Sequence, residues 1–216
     1  MSKYKLVIFD LDGTIADTSP GILNCIRYTQ KMMNLPQISY EAMLSHVGPP
    51  MEESYNRNFG LTGSELKKAV SYHKEYAMEN GYKELTIYPG IIELCDLLRK
   101  SNIYIAIATL KAQSTAIKIF ENLGLEDKFD IIAGNDINTP KTKSQLLDYC
   151  IEKFNVSREE ALLIGDSEYD AIGAYESGID FIAVTYGFGF KNHEQASSYK
   201  NIAVCDDAES IKKIIF

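Results

Sequence analysis

Short, unbroken apolar runs recur along the chain, each closed by polar residues before an amphipathic stretch begins. Residues 4–9 predict the first buried strand, with Leu6, Val7, Ile8 and Phe9 apolar without a break. "IYIAIA" at 103–108, "FDIIAG", "ALLIG" at 161–165, "FIAVTYG" and "NIAVC" predict five more. Between them lie "IIELCDLLRKS", "QSTAIKIFENLGL", "KSQLLDYCIEKFNV" and "EYDAIGAYESG", and "AESIKKII" follows the last. These carry apolar residues at helical spacing. Continuously apolar strands alternating with helices predict an α/β protein with a parallel sheet covered on both faces.

One stretch breaks the alternation. From Asp17 to about Leu85 the signals are helical, with no convincing strand. Pro20 stands near the start of "SPGILNCIRYTQKMMN", a position that proline favours. "YEAMLSHV" stops at Gly48-Pro49-Pro50, "MEESYNRNF" stops at Gly60, and "SELKKAVSYHKEYAMENG" ends at Gly81, a plausible C-cap. A segment this long exceeds an ordinary connection and predicts a lid or a separate small domain. The expected organisation is a discontinuous sheet domain, residues 1–16 and 86–216, with a helical domain at 17–85 inserted after the first strand.

Composition narrows the function classes. The chain has 216 residues, 45% of them hydrophobic and 24% charged, as in an ordinary globular protein. Its 22 basic and 30 acidic side chains give a formal charge of −8. No basic cluster suggests a nucleic-acid polymer or a membrane surface as partner. "MSKYK" is polar, and the apolar run after it is too short for a signal sequence. Cys25, Cys95, Cys150 and Cys205 have no close pairing and no metal-ligand spacing. They read as free thiols in a reducing cytosol, so the expected location is cytoplasmic. His46, His73 and His193 read as surface or structural residues.

The chemistry concentrates where strands end. The first strand runs into Asp10-Leu11-Asp12-Gly13-Thr14, the 103–108 strand into Thr109-Leu110-Lys111, and "ALLIG" into Asp166-Ser167-Glu168-Tyr169-Asp170. In an open parallel sheet, ligands bind outside the carboxyl ends of the strands. Several carboxylates converging on one edge repel each other unless a cation joins them. Oxygen donors without His or Cys suit Mg²⁺. Beside Lys and Thr, that ion makes a site for a phosphate dianion. One carboxylate there can attack phosphorus. The second, two residues on, can protonate the leaving oxygen and later deprotonate water. Gly13 lets the chain turn sharply enough for both acids to reach one point. Lys141 and Lys143 both stand where the helix after "FDIIAG" opens. A cation there opposes the helix dipole, so helix stability does not account for it.

"DLDGT" at 10–14, Thr109 after a strand, a downstream Lys and "GDSEYD" at 165–170 resemble, in order, the four motifs of the haloacid dehalogenase superfamily. The resemblance spans essentially the whole chain. The helical insertion after the first motif is similar to the subgroup with a small helical cap there, which includes phosphoglycolate phosphatase-like and 5′-nucleotidase-like enzymes. It implies a Rossmann-like core and a Mg²⁺-dependent phosphatase acting on a small phosphorylated metabolite: phosphoglycolate, a nucleoside monophosphate or a sugar phosphate. Asp10 would be the nucleophile. Asp12 would be the general acid/base, its backbone carbonyl a metal ligand. Thr109 and the Leu110 N–H would hold the phosphoryl group. Lys143 would pair with phosphate and Asp10, with Lys141 its competitor because the Lys-Pro-x-Pro form of this motif is absent. Asp166 would hold Mg²⁺ together with Asp10, and Asp170 would be a further ligand or stand just behind one. The second motif has Leu110 where Asn is common.

Asp12 argues against a dehalogenase. A phosphomutase would keep every motif. A phospho-accepting signalling module uses similar groups but has no helical insert. The loop between cap helices reaches the substrate in similar proteins, which draws in Gly48-Pro49-Pro50, Glu52, Glu53 and Arg57. "YGFGF" at 186–190 reads as a loop flanking the site. A monomer or small homo-oligomer is expected.

Overall fold

The structure, a computed structural model, describes residues 2–136 and 139–216. Six parallel strands form one sheet: β1 (Leu6–Phe9), β4 (Tyr104–Ala112), β5 (Ile131–Asn135), β6 (Ala161–Gly165), β7 (Asp180–Val184) and β8 (Ala203–Cys205). The remaining strands, β2 (Ala16–Asp17) and β3 (Thr86–Ile87), pair antiparallel with each other. The sheet order is β5-β4-β1-β6-β7-β8. From β1 the sheet grows outward through β4 and β5, then resumes on the other side with β6. The crevice outside the end of β1 is therefore the switch point where such sheets bind ligands.

Period-two alternation sends successive side chains of β1 to opposite faces. Val7 and Phe9 join a core with α5 (Ile91–Lys100), α6 (Gln113–Leu123) and α10 (Ala208–Ile215). Leu6 and Ile8 join a second core with α7 (Lys143–Phe154), α8 (Glu168–Ser177) and α9 (His193–Ser197). The predicted α/β class and two-sided cover are thus present, and the four strand residues are wholly buried.

Between β2 and β3 lie α1 (Ser19–Met33), α2 (Tyr40–Leu44), α3 (Met51–Phe59) and α4 (Gly63–Glu79). They bury two small apolar clusters of their own. Ile22, Leu23, Ile26, Met43 and Val47 form one, and Tyr55, Leu61, Ala69 and Val70 the other. Pro20 occupies the first turn of α1, and α3 stops at Gly60 in the left-handed conformation, φ 68°.

Three local expectations need correction. β4 runs on through Thr109, Leu110 and Lys111 to Ala112, past the predicted end at Ala108. The pairing of β4 with β5 shifts register between Ala108 and Ala112, so polar residues enter the strand at an irregularity. The β2–β3 ribbon went unforeseen because two-residue strands carry no periodicity. Gly81 is not a C-cap: α4 ends at Glu79 with Asn80 as cap. The chain there crosses close to α1, and the residue whose smallness permits it is Gly21. A Cβ on Gly21 would meet the Gly81 carbonyl oxygen at 2.4 Å.

Candidate active site

Asp10 and Asp12 follow β1 directly, and both are at least nine-tenths buried. Gly13 turns the chain with φ +80°. A Cβ there would sit 2.1 Å from Asp166 Oδ2, so no side chain fits. Asp166 follows β6, the strand hydrogen-bonded alongside β1. Asp170 lies in the first turn of α8, completely buried. Ligand oxygens of Asp10, Asp166 and Asp170 all lie within 4.8 Å of one another. The side chain of Asp12 stands outside that cluster.

Lys143 supplies the opposing charge. Its Nζ lies 2.7 Å from Asp10 Oδ1 and 2.7 Å from Asp170 Oδ1, and donates to the Ala108 carbonyl at 2.6 Å. It is the first residue of α7, behind a capping box made by Thr142 and Gln145. Asp170 is fixed from its other oxygen. Oδ2 accepts from Ser167 N at 3.1 Å and Ser167 Oγ at 2.6 Å, part of the capping box of α8. Lys141 is exposed, with its Nζ 5.1 Å from the Tyr149 ring centroid.

Asp12 has separate partners. The Thr18 hydroxyl donates to Oδ1, and Lys111 Nζ lies 3.1 Å from the same oxygen. Thr109 is buried on β4, and its hydroxyl accepts from Lys111 N at 3.2 Å. Leu110 is half-buried at the wall of a cavity of about 750 Å³. Asp12, Leu110, Lys111 and Lys143 line the sheet side of that cavity, and His46, Met51, Glu52, His73 and Lys74 line the insert side.

A protein-family profile for haloacid dehalogenase-like hydrolases matches residues 7–184, from β1 to the end of β7. The chain belongs to that family. As a haloacid dehalogenase-like hydrolase it has relatives of several activities. It is 33% identical to the tyrosine-protein kinase PtkA of Mycobacterium tuberculosis over 86% of its own length, and spans 63% of that relative. It is 30% identical to a phosphoglycolate phosphatase of Chromobacterium violaceum, covering 87% of this chain and 88% of the relative. A solved haloacid dehalogenase-like hydrolase from Streptococcus pneumoniae superposes with a TM-score of 0.90 at 30% identity, covering all of both chains.

The electrostatics explain what this site can hold. Burial, with Asp170 and Asp12, raises the Asp10 carboxyl to about 7 against the opposing pull of Lys143. Burial, then Asp170 and Asp10, raise Asp166 well above the carboxylate range, against the N–H donors of Gly189 and Phe188. Burial alone would lower Lys143, but Asp10 and Asp170 outweigh it and raise it above the usual lysine value. Three buried carboxyls face one ammonium, so ionising all three would leave two negative charges unbalanced. An all-oxygen donor set with that imbalance fits a divalent cation.

Some contributors escaped the sequence reading. Gly173 of α8 makes room for the lysine: a Cβ there would sit 2.5 Å from Lys143 Cγ. Gly165 does the same for Asp170, at 2.4 Å from its Cγ. Lys111 stood next to a motif residue but had no visible partner until Asp12 was placed. Phe188 and Gly189 hold Asp166 Oδ2 through backbone N–H groups at 2.7 and 3.0 Å, a role that side-chain identity does not signal.

Proposed function

We propose that the protein is a Mg²⁺-dependent phosphatase of small phosphomonoesters that works through an aspartyl-phosphate on Asp10. The observation that carries this reading is the Lys143 contact with both Asp10 and Asp170 beside Asp166, all buried at the switch point of the sheet. Asp10, Asp166, Asp170 and the Asp12 backbone carbonyl would hold the ion. When bound, Mg²⁺ neutralises carboxylates and the phosphoryl oxygens and keeps Asp10 ionised.

An Asp10 carboxylate oxygen attacks phosphorus, and the bond to the ester oxygen breaks. Asp12 gives that oxygen its proton, so the alcohol leaves neutral. A water then attacks the phosphorus and passes its proton to Asp12. The Asp10–phosphorus bond breaks, which returns both carboxyls to their starting states. Lys143 stays on Asp10 and meets the incoming charge, while Thr109 and the Leu110 N–H orient the phosphoryl group. Lys111 and Thr18 hold Asp12 at the rim of the cavity. The helices of 17–85 act as a cap over residues 1–16 and 86–216, exclude bulk water and select the organic group. Phosphoglycolate, a nucleoside monophosphate or a sugar phosphate all suit this chemistry.

The likeness to a tyrosine-protein kinase favours a second reading. An acceptor hydroxyl could take the phosphoryl group from Asp10 in place of water, as it would in a phosphomutase. One assay separates these. Phosphate release is measured from a panel of nucleoside monophosphates, sugar phosphates, phosphoglycolate and an aryl phosphate, with Mg²⁺ and with chelator. Metal-dependent release supports the phosphatase. No release from any member, alongside transfer to an added hydroxyl acceptor, replaces it with the transferase.

A further inference from the structure

The segment Tyr186-Gly187-Phe188-Gly189-Phe190 alternates aromatic residues with glycine, and the structure gives each half of that alternation a cause. The glycines sit against Asp166. A Cβ on Gly187 would lie 2.2 Å from Asp166 Oδ2 and 2.3 Å from the Gly13 carbonyl oxygen. A Cβ on Gly189 would lie 2.5 Å from the Asp166 carbonyl oxygen. The aromatics anchor the loop in three directions. Tyr186 donates its hydroxyl to the Thr14 carbonyl at 2.9 Å and packs on Tyr88, ring centroids 4.7 Å apart. Phe190 is buried in the core with α7, α8 and α9, and its N–H donates to the Asp166 carbonyl at 2.8 Å. Phe188 goes the other way. Its ring packs against the insert cluster of Ile22, Leu23, Ile26, Met43 and Val47.

One residue therefore touches the insert with its ring and the Asp166 carboxylate with its backbone. We propose that Phe188 is a positioning residue. Seating its ring in the insert sets the N–H donors of Phe188 and Gly189 on Asp166, so docking of the insert and orientation of this carboxylate are one event. The coupling runs both ways: whatever fixes Asp166 also favours the docked insert. A bistable packed contact carries such coupling over the short span involved. The inference rests on Asp166 belonging to the working site, and extends that reading to how the site senses the helices above it.

Two independent measurements test it. The first reads amide hydrogen exchange by NMR in cation-free protein. Met43→Ala loosens the insert cluster against which Phe188 packs and leaves Asp166 untouched. It should speed exchange at the Phe188 and Gly189 amides about tenfold while β1 and β6 keep their protection. Ile22→Val, a smaller truncation in the same cluster, serves the same purpose if the alanine variant does not fold. Unchanged exchange at these two amides overturns the proposal. The second titrates Mn²⁺ calorimetrically. Phe188→Ala should weaken binding about tenfold, and Phe188→Leu should recover most of the loss. Affinities within about twofold of wild type in Phe188→Ala also overturn it. If the wild-type protein binds no Mn²⁺, the cation reading of the site falls, and the exchange experiment alone decides the role of Phe188.

Discussion

The sheet edge and the helical insert both bury polar groups, but of different kinds. The edge buries charge: Asp10, Asp12, Lys143, Asp166 and Asp170 are each at least nine-tenths inaccessible. The insert buries neutral groups. The Tyr55 hydroxyl is hydrogen-bonded to His73 Nδ1 at 3.0 Å, and Asn58 Nδ2 donates to His46 Nε2 at 2.9 Å. Burial holds His46 at about 4, helped by Arg57, and His73 at about 3, helped by Lys111 and other cations. Buried charge is hard to justify by stability, since an apolar replacement is often no worse. Its concentration at one strand edge therefore points to chemistry. Neutral hydrogen-bonded groups cost much less and give a small helical unit a defined shape.

That contrast is open to attack, most strongly at Asp10. Asp10→Asn should lower phosphate release by at least about 10³-fold, measured at saturating substrate, with little loss of thermal stability. A stable variant with unchanged turnover would leave the edge without its chemistry. Lys143→Met should be the costliest change for folding. It leaves two buried carboxylates without their ammonium, a loss of about 3–5 kcal/mol in denaturant unfolding. Saturating Mg²⁺ should restore part of it. Gly187→Ala should displace Asp166 and reduce kcat by about 10–100-fold, with a smaller effect on unfolding.

The insert answers to pH instead. The unfolded state binds protons on His46 and His73 below about 6.5, and the folded state does not until about 4 and about 3. Folding stability therefore falls as pH drops below 6.5, by up to about 1.4 kcal/mol per unit per histidine. At pH 5, exchange corrected for the intrinsic amide rate should rise in α3 and α4 before it rises in β1 and β6. Exchange that rises equally everywhere would erase the distinction between the regions. The smallest effect belongs to Tyr169→Phe. Its hydroxyl donates to Glu53 Oε2 at 2.8 Å across an exposed gap between α8 and α3. Removing it should cost no more than about 1 kcal/mol in a thermal melt.

The sequence was most legible where one local rule acted alone. Four apolar residues followed by two acids located β1 and its carboxylates, and Gly13 announced the turn. Lys143 could be preferred to Lys141 only by resemblance, since both precede the same helix. The structure separates them: Lys143 reaches Asp10, and Lys141 stays at the surface. Contacts between distant segments were silent. Gly173 makes room for Lys143 from thirty positions away, and glycine on a helix carries no hint of its neighbour. The histidines read as surface or structural: His193 is exposed, while His46 and His73 are buried at the cavity wall in a hydrogen-bonded network no single-residue signal reveals. The polar end of β4 misled because a polar residue normally marks the end of a buried strand, and here the strand continues through a register shift.

The ribbon of β2 and β3 has a consequence for modularity. Ala16 pairs with Ile87 and Asp17 with Thr86, so the chain enters and leaves the helical insert through adjacent positions. Paired strands lie about 4.8 Å apart, and an antiparallel pair is routinely closed by a two-residue turn. Everything between Asp17 and Thr86 is thus a detour whose two ends already meet. Grafting a different excursion onto this pair, or shortening it to a hairpin, asks nothing of the covalent path through the sheet.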